Sequence, residues 1–88
     1  MAIQEEFDKL VERLKTEHDQ LKLKIHLASM EVKGEFEEAE KTWIQLKAKA
    51  AAIADEAVDT SDEYIGKAKI VGDELKEAYR RIASRLRK

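Results

Sequence analysis

Apolar residues recur in steps of three and four along the first part of the chain. This spacing puts them on one side of a helix, and when sustained it is the heptad pattern of helices that pack along a seam. The residues of this N-terminal seam are Phe7, Val11, Leu14, His18, Leu21 and Ile25. The pattern predicts an amphipathic helix whose apolar side must be covered by another helix.

The same spacing continues as far as Ala57, with one irregularity. A second consecutive step of four, from Val32 to Phe36, interrupts the alternation, and such an insertion locally unwinds a coiled coil. It falls beside Gly34, a residue with poor helix propensity. We predict one helix over about 3–58 that runs through this glycine.

A second helix is predicted after a polar pause in the pattern. The segment 59–63 has no large apolar residue, and within it Thr60 and Glu63 have the spacing of a capping box, which begins a helix. We therefore predict a turn at 59–60 and a helix over about 61–87. Its apolar stripe consists of Ile65, Ala68, Gly72, Leu75, Tyr79, Ile82 and Leu86.

These elements predict an all-α chain with a single domain over 1–88, built as a long antiparallel helical hairpin with a coiled-coil seam. The alternative is a three-helix bundle, in which the chain breaks near Gly34 into helices over about 3–32, 35–58 and 61–87. We favour the hairpin because no other turn-forming residue stands beside Gly34. Connections between the helices of a bundle usually take about 2–8 residues.

The hairpin leaves residues 1–31 without a partner in the same chain. We therefore expect the N-terminal seam to pair with another copy, in a homodimer or a larger homo-oligomer. His18 lies on this seam between Leu14 and Leu21. A polar residue at such a position is expected to fix the register of the helices, and a pH-sensitive or metal-binding role is the alternative.

Charge is distributed unevenly along the chain. Residues 1–30 carry five cations and six acids, residues 31–63 carry four cations and ten acids, and residues 64–88 carry eight cations and three acids. If the second helix folds back about Asp59, residue i faces residue 118 − i, and the acidic block 35–40 meets the basic end of the chain. The charge pattern and the apolar pattern thus indicate the same register.

Composition argues against catalysis. A chain of 88 residues buries only about 60–65% of its unfolded surface, which leaves little material for an active-site cleft. The chain has no cysteine, and neither histidine has a glutamate three residues before it, as the di-iron helical bundles have. We expect no enzymatic activity, no cofactor and no metal. With 43% hydrophobic residues at regular spacing, the chain is also expected to fold rather than stay disordered.

The function we favour is that of a structural or interaction protein that associates with other proteins. The alternative is a peripheral module that binds an anionic membrane or nucleic acid. The basic surface that would carry this binding is Arg80, Arg81, Arg85, Arg87 and Lys88. Nucleic acid is disfavoured because the chain has no helix-turn-helix spacing and no interleaved aromatic residues. A cytoplasmic location is expected, because the N-terminus carries acids where an export signal carries cations.

Overall fold

Three helices make up the fold, in a computed structural model that describes residues 3–55 and 61–86. They are α1 (Ile3–Lys24), α2 (Met30–Ala54) and α3 (Asp62–Leu86), and a short 3-10 turn over Ile25–Leu27 follows α1. The described residues contain no strand. The all-α class is confirmed, and of the two predicted arrangements the structure has the three-helix bundle.

The continuous helix over about 3–58 was wrong. The backbone leaves the helical conformation at Ala28 and Ser29, which are both extended, with ψ values of 162° and 163°. The hydroxyl of Ser29 then accepts a hydrogen bond from the amide of Val32 at 3.3 Å, so it caps the first turn of α2. Gly34 lies inside α2, and the break comes before it. The heptad spacing does not reveal this break, because it continues in step across it.

The second predicted helix is confirmed in position. The hydroxyl of Ser61 accepts a hydrogen bond from the amide of Tyr64 at 3.3 Å, so this serine caps α3, while Asp62 and Glu63 place acids in its first turn. The predicted turn at 59–60 lies outside the described residues.

α1 packs against α3 in parallel. At one end of the bundle Ile3 lies beside Gly66, and further along Leu10 and Leu14 lie beside Gly72. A Cβ atom at Gly72 would come within 2.7 Å of Cδ2 of Leu10, so this glycine allows α1 to approach α3 closely.

α2 runs antiparallel to α3 in the predicted register. Arg85 of α3 contacts Glu31 and Glu35 of α2, the two acids on either side of the position that the register assigns to it. Ala39 of α2 and Ile82 of α3 line one depression between the helices. The core is formed by buried side chains from all three helices: Phe7, Leu14, Leu21, Val32, Phe36, Ala39, Trp43, Leu46, Ile53, Ile65, Ala68, Leu75, Tyr79 and Ile82.

The bundle is elongated, with extents of 41 × 22 × 17 Å. A helix of 25 residues is about 37 Å long, so the helices run along the longest axis. The connection between α1 and α2 therefore lies at one end, and the C-terminus of α3 is at the same end, because Leu27, Ser29 and Leu86 line one depression. In the described part of the chain no helix is both long enough and apolar enough to span a membrane.

Candidate interaction surface

The N-terminal seam lies in the core of a single chain. Phe7, Leu14, His18 and Leu21 are buried, and Val11 and Ile25 are half-buried against the same core. α2 and α3 cover this side of α1, so the argument that an uncovered seam must pair with another copy no longer applies. The oligomeric state itself stays a prediction.

His18 lies at the centre of an aromatic cluster. Its ring stacks on those of Phe36 and Trp43 from α2, with centroid distances of 5.6 and 5.7 Å, and is tilted against Tyr79 of α3 at 6.3 Å. Only 7% of the residue is exposed. Its predicted burial in the seam is thereby confirmed, and the ring fills the space between all three helices.

Both ring nitrogens of His18 are close to a carboxylate. Nδ1 lies 3.1 Å from Oδ1 of Asp19, and Nε2 lies 3.2 Å from Oε1 of Glu40. The contact with Glu40 joins α1 to α2. A neutral imidazole can donate to only one of these two acceptors, and an imidazolium can donate to both. The cluster is thus held by polar contacts as well as by stacking.

The hydroxyl of Tyr79 is buried and has no hydrogen-bond partner among the described residues. Burial raises the pKa of this phenol, and the nearby carboxylates of Glu40, Glu17 and Asp19 raise it further. Tyr79 therefore stays neutral, and its hydroxyl has lost its hydrogen bonds to water without a replacement.

We expect the substitution Tyr79→Phe to stabilise the protein. An unpaired buried hydroxyl costs about 1–3 kcal/mol, and phenylalanine retains the ring that packs on His18 and on Phe36. Urea denaturation should show a higher free energy of unfolding for this variant. Tyr64→Phe is the matched control, because Tyr64 is only half-buried. A loss of stability in Tyr79→Phe would mean that its hydroxyl has a partner in solution.

The predicted basic surface is partly occupied by ion pairs. Arg85 donates hydrogen bonds to Glu31 at 3.0 Å and to Glu35, and these bonds raise the pKa of its guanidinium. Arg80 lies 3.5 Å from Glu77 on its own helix, and Arg81 is exposed. The last two members of this predicted surface, Arg87 and Lys88, lie outside the described residues. The predicted contact between the basic end and the acidic block is confirmed at Arg85.

The most exposed large apolar side chains of the described residues gather at the α1–α2 connection. Leu23 is 76% exposed, Leu27 79% and Met30 83%. We call these three residues the connection end. The other two large exposed apolar residues, Ile44 and Ile70, are each 59% exposed and lie in the middle parts of α2 and α3.

Sequence reasoning missed the connection end, although a signal was present. In the sequence, Leu23, Leu27 and Met30 are spaced by four and three residues, which in an unbroken helix would make a second apolar stripe beside the N-terminal seam. A helix with one apolar side needs no such stripe. Large side chains outside the seam are the ones left in solvent after the seam is buried.

Comparison with known proteins assigns no family. No protein family, no curated protein and no solved structure matches this chain. Within residues 3–55 and 61–86, no group of three or more metal-ligating side chains could hold a metal ion. The surface described above is therefore the basis for a proposal about function.

Proposed function

We propose that this protein is a non-catalytic interaction module that binds its partner through the connection end. The observation that supports this is the exposure of Leu23, Leu27 and Met30 within eight consecutive residues. Burying a large apolar side chain contributes about 1.5–3 kcal/mol, so covering three of them offers a sizeable gross driving force for binding. Single exposed apolar residues are common on protein surfaces, but a cluster of this kind marks interaction sites.

The rest of the bundle supports the role of a rigid carrier. The aromatic residues Phe7, Phe36, Trp43 and Tyr79 are buried in the core, so they hold the helices together rather than face a ligand. The α1–α2 connection is placed by the cap at Ser29 and by the hydrogen bond from the amide of Ala28 to the carbonyl of Ile25 at 3.0 Å. We include a cytoplasmic location in the proposal.

A second copy of the chain is a further candidate partner, because three apolar side chains at one end can pack against their own copies. The cations Lys22 and Lys24 lie beside Leu23, however, and they would come together in such a contact. Like charges at an interface oppose association. A homo-oligomer, if formed, is therefore expected to use the connection end weakly, and a partner of negative charge fits it better.

Photo-crosslinking in the source cells tests the proposal. A photoreactive phenylalanine derivative is placed at Leu27, and in a control protein at Ile44, which is also well exposed. We expect covalent adducts, to protein or to lipid, from position 27 and far fewer from position 44. Equal labelling at the two positions would contradict the proposed use of the connection end.

A further inference from the structure

Two lysines lie beside the apolar residues of the connection end. The segment 20–30 contains Lys22 and Lys24 and no acidic residue, and Glu31, which follows it, is paired with Arg85. Both lysines are exposed. Long lysine side chains can keep the ammonium group in water while their methylene groups lie along an apolar surface. The connection end thus combines apolar and positively charged groups that one partner can contact together.

The opposite end of the bundle is acidic. Because α1 and α3 are parallel, their first turns lie at the same end, and these turns contain Glu5, Glu6, Asp62 and Glu63. Asp55, which follows α2, is at that end as well. Lys69 lies 3.6 Å from Glu6 and Lys67 lies 3.6 Å from Glu63, so part of this negative charge is neutralised. The remaining negative charge is separated from the lysines of the connection end along the 41 Å axis of the molecule. Such a distribution orients the molecule with its connection end toward a negatively charged surface.

We propose that the partner of the connection end is an anionic lipid bilayer. This inference rests on the proposed function and names its partner. Leu23, Leu27 and Met30 enter the boundary between headgroups and acyl chains, while Lys22 and Lys24 contact lipid phosphates and carboxylates. The bundle then stands on the membrane surface by one end. Apolar residues flanked by cations are the combination by which peripheral proteins bind anionic membranes.

The size and shape of the surface favour a bilayer over an acidic protein. The exposed apolar residues lie at an end of the bundle that measures 22 × 17 Å, rather than along one of its long sides. A stable protein interface usually buries roughly 800 Å² on each partner and is anchored by aromatic or arginine side chains. The three residues here are aliphatic and unbranched or branched only near their ends. A bilayer accepts such side chains without a complementary surface.

The binding should be reversible and sensitive to salt. Three side chains give less apolar burial than a membrane-spanning helix, and the electrostatic contribution is screened within about 8 Å at physiological ionic strength. Sedimentation of the full-length protein with lipid vesicles measures it directly. We expect binding to vesicles with 30% phosphatidylserine in phosphatidylcholine, little binding to pure phosphatidylcholine, and weaker binding as salt is raised.

Two matched pairs of variants separate the contributions. The first pair compares Leu23→Ser, Leu27→Ser in one protein with Ile44→Ser, Ile70→Ser in another, and we expect at least about a tenfold loss of vesicle affinity only in the former. The second pair compares Lys22→Glu, Lys24→Glu with Lys49→Glu, Lys67→Glu, which make the same change in net charge. The vesicle affinity of the former should fall about fivefold for each lysine replaced, and that of the latter much less. Circular dichroism checks that all four variants stay helical.

A fluorescent probe reports which end enters the membrane. The chain has no cysteine, so a single one introduced by Leu27→Cys can be labelled with an environment-sensitive dye, and Ile44→Cys provides the control. Anionic vesicles should shift the emission to the blue at position 27 only.

The inference is overturned if the wild-type protein does not bind phosphatidylserine vesicles at low salt, or if both variants of each pair lose affinity equally. An equal shift of the dye at positions 27 and 44 would also overturn it. If position 27 crosslinks to an acidic protein in cells while vesicles are not bound, the partner is a protein, and the proposed function as an interaction module still holds. If position 27 labels no more than position 44, the proposed function itself fails.

Discussion

The substitution Leu14→Ala should lower the free energy of unfolding by about 2–5 kcal/mol, with a midpoint that does not depend on protein concentration. Leu14 is fully buried and lies beside Gly72 of α3, so truncation leaves a cavity between α1 and α3. Because all the partners of this side chain are in the same chain, unfolding should be unimolecular. Urea denaturation at concentrations a hundredfold apart measures both quantities.

The concentration series decides between the bundle and the oligomer predicted from the heptad pattern. In an obligate oligomer the seam around Leu14 would be covered by another subunit, and the midpoint of unfolding would rise with protein concentration. Leu23→Ala is the matched control, because Leu23 is also a leucine of α1 but is 76% exposed. Its stability should change by less than about 0.5 kcal/mol.

Replacing His18 by alanine should cost about 2–4 kcal/mol. The change removes a ring that stacks on Phe36 and Trp43, and it removes the contact between the ring and the carboxylate of Glu40. Thermal or urea denaturation of His18→Ala against the wild-type protein gives the loss. The matched control is His26→Ala, because His26 is exposed and its removal should change stability by less than about 0.5 kcal/mol.

Added imidazole provides a second measure of the His18 site. The truncation in His18→Ala is expected to leave a cavity lined by the aromatic rings. A ligand that binds in this cavity, and so only to the folded state, raises the free energy of unfolding in proportion to the logarithm of the ligand concentration. Imidazole should therefore raise the stability of His18→Ala and leave that of His26→Ala unchanged. Equal responses of the two variants would show that the cluster collapses around the missing ring.

Much of the fold could be predicted from the sequence because the spacing of apolar residues indicates which side of a helix is buried. The stripe from Ile65 to Leu86 and the limits of α3 follow from it. So does the register of α2 against α3, which the charge blocks indicate independently and which the contact of Arg85 with Glu31 bears out.

The break between α1 and α2 could not be predicted from spacing, because the steps from Leu21 through Ile25 and Ala28 to Val32 are those of an unbroken helix. The residue that marks the break is Ser29. Its hydroxyl accepts the hydrogen bond that the amide of Val32 would otherwise donate to a backbone carbonyl of the preceding turn. A serine inside a heptad pattern is compatible with both a helix interior and a cap, so only the packing of the whole chain decides. Gly34 is likewise compatible with a helix interior, and the break of the alternative three-helix bundle was predicted there instead of at Ala28 and Ser29.

The candidate site followed from the fold rather than from a motif. The N-terminal seam and His18 were identified as buried positions, yet the helices that cover them were assigned to another copy. Once α2 and α3 cover α1, the residues outside the seam are the ones that face solvent. Leu23, Leu27 and Met30 became visible as a surface only at that point.

The parallel packing of α1 on α3 bears on the order in which the chain folds. The contact between Glu6 and Lys69, at 3.6 Å, joins residues more than sixty positions apart, whereas α2 and α3 are consecutive helices that meet as a hairpin. Closing a longer loop loses more chain entropy before any stabilising contact forms. We therefore expect the α1–α3 contacts to form after the contacts between consecutive helices, and substitutions confined to the α1–α3 contact to act chiefly on the rate of unfolding.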